Sequence, residues 1–195
     1  MDIMPIIKAR RSVRKFQPQP LNKEDLSLIL EAGTYAPSGG NSQTTHFFVI
    51  ENPDVLALLR RVAVEEFATM EVYEGMYKSL VSTIRQSREK GMGYDFIYGA
   101  PVLVLLANKK GYGNAMADCA LAVENMFLQA TAMGIGSCYI NQIHWLTENP
   151  RMLEVLQSIG LPGDELVFAG AAFGYSAMGE QAPLQRFGNP ITYIK

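Results

Sequence analysis

The sequence predicts an α+β fold in which helices cover a sheet of about four strands. Two apolar runs, HFFVIE at 46–51 and VLVLLA at 102–107, have the composition of strands. Around them, apolar residues recur at helical spacing, as in KEDLSLILEAG at 23–33. Because both kinds of segment must bury apolar surface, a sheet packed against helices is the architecture that accommodates them.

The composition indicates one domain spanning residues 1–195. Of the 195 residues, 48% are hydrophobic, which suffices for a sizeable core within the usual size of one domain. The formal net charge is −2, so the overall field offers no attraction to nucleic acid or to an anionic membrane. Because the chain shows neither a long apolar span nor a signal-peptide pattern, we expect a cytoplasmic protein. Cys119 and Cys138 form no CxxC pair, so reduced and buried thiols are expected.

The first half of the chain contains three predicted helices and one predicted strand. The helix at 23–33 begins after a potential N-cap, Asn22, and ends at Gly33, a residue that commonly closes helices. The other segments are a helix at 3–10, the turn-rich loop APSGGNSQ at 36–43, the strand at 46–51 and a helix from Asn52 through about Phe67.

The pattern weakens between residues 68 and 94. Met, Tyr and Gly alternate there with charged residues, which indicates a loosely packed helical segment. We expect this segment to act as a mobile lid or arm.

The second half returns to strong signals. A continuous apolar run at 102–107 is typical of a central strand, and Asn114 is expected to cap a helix of about twenty residues that ends at Gly134. The remaining elements are a short strand at 137–140, a helix at 150–159 and a Gly- and Ala-rich strand at 165–176. The tail at 177–195 is irregular until ITYI, whose weak alternation suggests an edge strand on another subunit and hence a dimer.

Several common chemistries are excluded by spacing. Neither GxGxxG after a strand nor GxxxxGK[ST] is present, so no Rossmann or P-loop nucleotide site is predicted. His46 and His144 lie far apart without HExxH or CxxC, which argues against a metal site, and His46 is expected to pack or cap a strand. The segment GIGSC at 134–138 lacks the serine position of a GxSxG elbow, so a serine hydrolase is not predicted.

Three stretches carry a family resemblance. They are KARRSVRKF at 8–16, APSGGNSQ at 36–43 followed by HFFVI, and GIGSCYI at 134–140. In this order and spacing the chain resembles the FMN-dependent nitroreductase family over its full length. The resemblance implies a central, mostly antiparallel sheet flanked by helices, with a C-terminal arm extending onto a dimer partner.

The basic stretch contains five cationic residues in nine. The resemblance implies that Arg10 and Ser12 hold the FMN phosphate with help from Arg11, and that Arg14 lies near the pyrimidine edge of the flavin. A planar guanidinium suits a phosphate because it donates to two oxygens at once, and a cation near the pyrimidine stabilises the reduced ring. The alternative is a solvated basic run at the end of a helix, and Lys15 is assigned to solvated surface.

The same resemblance implies that the Gly-rich loop contacts the flavin ring bound by the partner subunit. The protein is therefore expected to be a homodimer with FMN at the subunit interface. Small residues allow close backbone approach, and amide side chains pair with a uracil-like edge. The implied contacts are Pro37, Ser38 and Gly39 along the ring and Asn41 and Gln43 as polar partners. Many relatives continue with Pro-Trp where this chain has Thr44-Thr45. The alternative is an ordinary turn between a helix and a strand.

The third stretch is expected to supply a backbone N–H that faces flavin N5. The resemblance places it around Ile140, Asn141 and Gln142. Cys138 is interpreted as a small buried residue, because no base partner for it is evident in the sequence. Arg186 is the candidate for a second phosphate contact, and a surface arginine is the alternative.

The resemblance implies a ping-pong oxidoreductase in which NADH or NADPH reduces FMN and an aromatic nitro compound, a quinone or a similar acceptor is then reduced. No catalytic side chain is expected, because the flavin supplies the chemistry. Apolar residues of segment 65–98 are expected to line the acceptor pocket; alternatively, they belong to the core. They are Phe67, Met70, Tyr73, Met76, Tyr77, Tyr94 and Phe96. A specialised flavoprotein (a dehalogenase, an azoline dehydrogenase or a flavin-fragmenting enzyme), a flavin-binding module without turnover and a flavin-free homologue remain as alternatives.

Overall fold

The computed structural model describes residues 2–179 and 181–195. The helices are α1 (Met4–Ala9), α2 (Lys23–Thr34), α3 (Pro53–Thr69), α4 (Lys78–Lys90), α5 (Ala115–Ala132), α6 (Gln142–Trp145) and α7 (Pro150–Ser158). The strands are β1 (His46–Ile50), β2 (Val102–Lys109), β3 (Gly136–Tyr139) and β4 (Glu165–Gly174). Two short 3₁₀ helices lie at Gly39–Asn41 and Gly91–Gly93.

The four strands form one antiparallel sheet in the order β1-β2-β4-β3. The central strands β2 and β4 pair along their whole length, with one irregularity in register between Leu106 and Ala107. Every residue of β2 except Lys109 is buried, as expected for a strand that is covered on both faces. The predicted α+β architecture is therefore confirmed.

Helices cover the two faces of the sheet. Helices α2 and α5 pack on one face, where Ile29 and Met126 are fully buried beside Val104. Gly33 allows α2 to approach α5 closely, because a Cβ at this position would lie 2.9 Å from Met126 Cγ. Helices α3, α4, α6 and α7 contribute to the core on the opposite face, around Leu105. Each face of the sheet thus has its own apolar core.

Asparagine residues begin three of the helices, as the sequence pattern indicates. The side chains of Asn22, Asn52 and Asn149 accept hydrogen bonds from backbone N–H groups in the first turns of α2, α3 and α7. Asn114 occupies the N-cap position of α5 but makes no capping hydrogen bond with its side chain.

The structure corrects two predicted segments. Between residues 68 and 94, only 78–90 form an α-helix after α3 ends, and residues 70–77 have no helical structure. Met70, Tyr73 and Tyr77 have the spacing of one helical face, but Tyr73 and Tyr77 are exposed rather than packed, and Gly75 adopts a positive φ of 89° that a helix does not allow. The structure also adds α6, whose four residues are too few to show a periodic pattern.

The C-terminal tail has no regular secondary structure at 181–195, and its side chains are largely exposed. The strand suggested for ITYI is not formed within the described residues, and its docking onto a partner stays a prediction. Glu180, which belongs to the predicted irregular tail, lies outside the described residues. In the described part of the chain, no helix combines the length and apolar character needed to cross a membrane.

Candidate functional site

The basic segment, defined as residues 8–16, is held against the sheet by its backbone. Ser12 pairs with Ser137 in a parallel bridge next to β3, and Val13 N–H donates to the Ser137 carbonyl at 2.8 Å. Further along, Phe16 forms an antiparallel bridge with Ser176. Because these contacts use main-chain atoms, the path of the segment does not depend on its basic side chains.

The basic side chains make few polar contacts with the rest of the described chain. Arg10 is half-buried, and its Nε lies 3.5 Å from Glu124 Oε1 on the exposed surface of α5. Arg11 donates to the Ala182 carbonyl at 2.6 Å, which brings the C-terminal tail beside the segment. Arg14 is exposed, and no carboxylate among the described residues lies within 4 Å of it. An ion pair as exposed as that of Arg10 contributes little to stability.

Arg14 lies close to the side chains of Tyr98 and Cys138. Burial raises the pKa of the Tyr98 hydroxyl, and the nearby Arg14 guanidinium opposes this rise. Burial likewise raises the pKa of the Cys138 thiol, against the opposing charges of Arg14 and Arg10. The guanidinium groups therefore lie close to β3 as well as to solvent.

Tyr98 adopts a left-handed backbone conformation with φ of 60°, which is uncommon for a residue with a side chain. Asp95 supports this turn by accepting hydrogen bonds from Ile97 N–H at 3.0 Å and Gly99 N–H at 2.8 Å. The Tyr98 carbonyl in turn accepts from Phe16 N–H at 3.2 Å. The strained turn thus contacts the basic segment directly, as strained residues often do near functional sites.

The connection after β3 contains the three residues predicted to face N5. Ile140 is buried, and its N–H donates to the Gly170 carbonyl at 2.8 Å. This bond uses the amide of Ile140 within the protein, so that amide cannot also face a ligand. The backbone N–H groups of Asn141 and Gln142 have no partner among the described hydrogen bonds. Asn141 and Gln142 are therefore the better candidates.

The flavin loop, defined as residues 36–43, contains the short 3₁₀ turn at Gly39–Asn41. Asn41 and Gln43 adopt positive φ values of 55° and 50°. Gln43 N–H also donates to Ser38 Oγ at 3.0 Å, which closes the loop on itself. The side chains of Asn41 and Gln43 are exposed, as is Pro37.

Two residues that sequence reasoning missed support this loop. Asp118, in the first turn of α5, is buried, and its carboxylate accepts from Gly39 N–H at 3.1 and 3.3 Å. The Tyr112 hydroxyl lies 3.1 Å from Asp118 Oδ2 and 3.2 Å from the Gly39 carbonyl. The available signal was an acidic residue at the start of an otherwise apolar helix, where carboxylates are favoured.

The structure brings some of the predicted site residues together and leaves others apart. Arg10, Arg11, Ser12 and Arg14 lie along the end of the sheet that contains β3, and Asn141 follows Cys138 by three residues, or ~10 Å of extended chain. Among the described residues, no hydrogen bond or ion pair joins the flavin loop to either group. Arg186 is exposed in the tail, four residues beyond the Ala182 contact of Arg11.

The seven apolar candidates between Phe67 and Phe96 fall into three sets. Phe67, Tyr94 and Phe96 are buried in the core, so the core interpretation applies to them. Tyr73 and Tyr77 are 67% and 77% exposed and are available to a ligand. Met70 and Met76 are partly buried against the core.

The donor set near β3 consists of guanidinium groups, one hydroxyl and free backbone amides. Such a set suits a phosphate joined to a flat heteroaromatic ring. Within the described residues, no group of His, Cys, Asp and Glu side chains could hold a metal ion. Cys119 and Cys138 are free and buried, as expected.

Comparison with known proteins assigns the fold and the family. The model of the nitroreductase family matches residues 7–175. A crystal structure of a nitroreductase with bound FMN from Bacteroides fragilis shares 35% sequence identity, covers 100% of both chains and superposes with a TM-score of 0.87. The chain therefore belongs to the nitroreductase family.

Two curated relatives of similar sequence are named for different activities. A protein of Archaeoglobus fulgidus, provisionally named NADH dehydrogenase/NAD(P)H nitroreductase, is 28% identical over 89% of this chain and 85% of its own length. An iodotyrosine deiodinase of Thermotoga neapolitana is also 28% identical, over 82% of this chain and 88% of its own length.

Proposed function

We propose that this protein is an FMN-dependent oxidoreductase that uses NADH or NADPH to reduce a nitroaromatic compound, a quinone or a similar acceptor. The observation that carries the proposal is the backbone pairing of Ser12 with Ser137, which sets a row of arginines along β3, the strand that leads into the connection at 141–142. The 35% identical nitroreductase with bound FMN supports the choice of cofactor.

The phosphate of FMN is assigned to Arg10 and Ser12, with Arg11 assisting. Arg10 is suited to this role because it is half-buried and its partner Glu124 is exposed, so a phosphate can replace that weak ion pair. Ser12 adds a short hydroxyl donor on the same stretch of backbone. The contact of Arg11 with Ala182 favours a position for Arg186 near the same phosphate.

The ring is assigned to the groups further along the site. Arg14 would lie at the pyrimidine edge, where its charge stabilises the reduced ring, and Asn141 or Gln142 would direct a backbone N–H to N5. Bound FMN would supply two-electron chemistry in alternate half-reactions, oxidising NADH or NADPH and then reducing the acceptor at the same place. The protein contributes binding, orientation and charge, and no catalytic side chain is assigned.

The flavin loop is assigned to the FMN of a partner subunit, which requires a homodimer. Within one chain, no described polar contact connects the loop to the basic segment, although both are assigned to the same cofactor. Exposed apolar residues near α1 and α2, among them Ile3, Leu28 and Tyr35, line a cavity of about 400 Å³ and offer surface for a second subunit. The exposed apolar tail, with Phe187 at 85% exposure, offers more such surface.

The experiment that tests the proposal is an absorbance spectrum of the purified protein, followed by anaerobic titration with NADH and then NADPH. A flavin spectrum that bleaches with either donor supports the proposal, and steady-state kinetics with a quinone and a nitroaromatic should then give parallel ping-pong lines. A protein that neither carries nor binds FMN contradicts it. A bound flavin that neither nucleotide reduces would indicate a binding module without turnover.

A second candidate function is reductive dehalogenation of a haloaromatic compound. It is favoured by the deiodinase from Thermotoga neapolitana, whose sequence identity to this chain, 28%, equals that of the Archaeoglobus relative. The two candidates are separated by single turnover of the chemically reduced protein with iodotyrosine and with a nitroaromatic. Release of iodide at a rate above that of nitro reduction would favour the second candidate.

A further inference from the structure

A buried polar cluster joins the connection after β3 to the arm formed by residues 78–94. The cluster consists of Thr83 in α4, Tyr94 after the 3₁₀ turn at Gly91–Gly93, and Gln142 at the start of α6. Gln142 Nε2 donates toward Thr83 Oγ1 at 3.3 Å and toward the Tyr94 hydroxyl at 3.4 Å. The Thr83 and Tyr94 hydroxyls lie 3.2 Å apart.

All three side chains are removed from water. Thr83 is 3% exposed, Tyr94 6% and Gln142 9%. A buried amide must find its hydrogen-bond partners inside the protein, so the position of Gln142 is coupled to the two hydroxyls. Within the described residues, the hydrogen bonds that connect α6 with α4 and with Tyr94 are those of this cluster.

The position of Gln142 matters because of its backbone. The Ile140 amide is committed to Gly170, which leaves the N–H groups of Asn141 and Gln142 for the predicted contact with N5. Their orientation depends on how α6 begins. Since α6 has only four residues, its own hydrogen bonds hold it weakly, and the Gln142 side chain supplies an anchor in the core.

We propose that Thr83 and Tyr94 are positioning residues that, through the Gln142 side chain, hold the amides of residues 141–142 toward the flavin N5. This inference rests on the proposed function. It also means that the arm and the N5 contact are coupled, because a displacement of α4 would remove the partners of Gln142.

The test uses five variants of the whole chain, one of which is a control. Thr83→Val and Tyr94→Phe each remove one hydroxyl and leave Gln142 with one acceptor, whereas the double variant leaves it with neither. Gln142→Leu removes the buried amide without leaving an unpaired donor, and it replaces the double variant if that variant does not fold. Ser87→Ala is the matched control, because Ser87 is a 2% exposed hydroxyl on α4 that has no hydrogen-bond partner among the described residues.

The main measurement is amide hydrogen exchange at residues 141–143, with and without FMN. Wild-type protein and Ser87→Ala should show exchange slowed about tenfold or more by FMN, whereas the double variant and Gln142→Leu should show less than about threefold slowing. Each single hydroxyl variant should stay close to wild type, because one acceptor remains for Gln142. A purely structural role would instead lower the melting temperature in each variant and leave the FMN-dependent slowing unchanged.

The flavin reduction potential gives an independent measurement. An N–H that faces N5 pairs with the lone pair of the oxidised ring, and that pairing weakens once N5 carries a hydrogen. Loss of the donor should therefore favour the reduced ring about tenfold, which is a rise of about 30 mV for a two-electron couple. If the wild-type protein binds FMN and the double variant matches it in both the FMN-dependent slowing of exchange and the flavin reduction potential, the inference is overturned and the proposed function stands. If the wild-type protein binds no FMN, the proposed function is overturned and the inference with it.

Discussion

The basic segment and the flavin loop are assigned to the same cofactor, yet they are held in place in different ways. The basic segment is fixed by main-chain pairing of Ser12 and Phe16 with neighbouring strand residues. The flavin loop is fixed by side chains from outside it, since Asp118 and Tyr112 hold Gly39. In the first region, the side chains that are proposed to bind FMN are separate from the main-chain atoms that hold the segment in place. In the second region, the loop depends on a buried carboxylate in α5.

This difference makes the two regions respond differently to substitution. Removing a basic side chain should weaken binding and leave the fold unchanged. Removing the support of the loop should reduce both stability and binding, because a buried donor loses its acceptor. The loop support also lies on the helix that forms one of the two cores, so damage there reaches the fold.

The largest effect is expected for Arg10→Ala. Loss of a bidentate, charge-assisted contact with phosphate should weaken FMN binding by ~100-fold, or about 3 kcal/mol. The melting temperature of the apoprotein should stay within about 2 °C of wild type, because the ion pair with Glu124 is exposed. Fluorescence titration with FMN and thermal melting of the apoprotein provide the two measurements.

Lys15→Ala is the control for this prediction. Lys15 is exposed in the same segment, and only its carbonyl is used, by Ala177 N–H at 2.9 Å. Its removal should change FMN affinity by less than about threefold, because it takes away general positive charge only. If both variants weaken binding equally, Arg10 acts through net charge and the assignment to phosphate is wrong.

A smaller effect on binding, together with a loss of stability, is expected for Asp118→Asn. The amide retains one oxygen acceptor for the Gly39 N–H, but it loses the negative charge that strengthens this bond and that is favoured in the first turn of α5. This should destabilise the protein by about 2 kcal/mol and weaken FMN binding about tenfold. Chemical denaturation and FMN titration of the same preparation measure both quantities.

Glycine substitutions test the same contact between Gly39 of the flavin loop and the side chains that hold it. A Cβ on Gly39 would collide with Asn114 and Tyr112, whereas a Cβ on Gly113 meets nothing within 4 Å. Gly39→Ala should therefore resemble Asp118→Asn, and Gly113→Ala should resemble wild type. Equal behaviour of the two glycine variants would show that the loop is not held by this contact.

Much of the fold follows from local sequence signals, and the site follows only in part. Asn22 marks the start of α2 because capping acts over a few residues. Gly33, which is predicted to close this helix, lies inside α2, which ends at Thr34, and it packs against Met126 instead. The basic segment and the flavin loop stand out because charge and glycine density are visible in a short window. The helical structure predicted at 70–77 is wrong, because the apolar residues of this stretch do not form a buried face and Gly75 adopts a positive φ.

The supporting contacts of the site could not be predicted in this way. The bond between Gly39 and Asp118 joins residues 79 positions apart, and the one between Gln142 and Thr83 joins residues 59 apart. No local pattern identifies such partners, because they are chosen by the packing of helices that are distant in sequence. The hydrogen bond from the Ile140 N–H to the Gly170 carbonyl could not be predicted either, because it becomes evident only from the strand register.

The last contrast concerns the two cysteines, each of which lies next to a residue that holds one of the two regions in place. Cys119 follows Asp118 in α5, and burial raises the pKa of its thiol from 9.0 to about 12. Burial also raises the pKa of Cys138, but Arg14 and Arg10 oppose this rise. We therefore expect iodoacetamide to modify Cys138 before Cys119 in the native apoprotein as the pH is raised above 9, with mass spectrometry of the peptides as the measurement.

The same shift sets the sign of a pH effect on stability. Because the folded pKa of Cys119 is raised, the folded state favours the neutral thiol; this contribution is complete below pH 9 and is lost as the pH rises toward 12. The part of the loss that is due to Cys119 should approach about 1.4 kcal/mol per pH unit in that range. Cys119→Ala should lack this part and keep the alkaline losses that come from the raised pKa values of Cys138, Tyr98 and Tyr139. If Cys119→Ala loses stability above pH 9 as steeply as wild type, the alkaline transition has another origin. If Cys119 reacts before Cys138, the arginines of the basic segment do not lie close enough to β3 to act on its thiol, and the contrast between the two regions fails at that point.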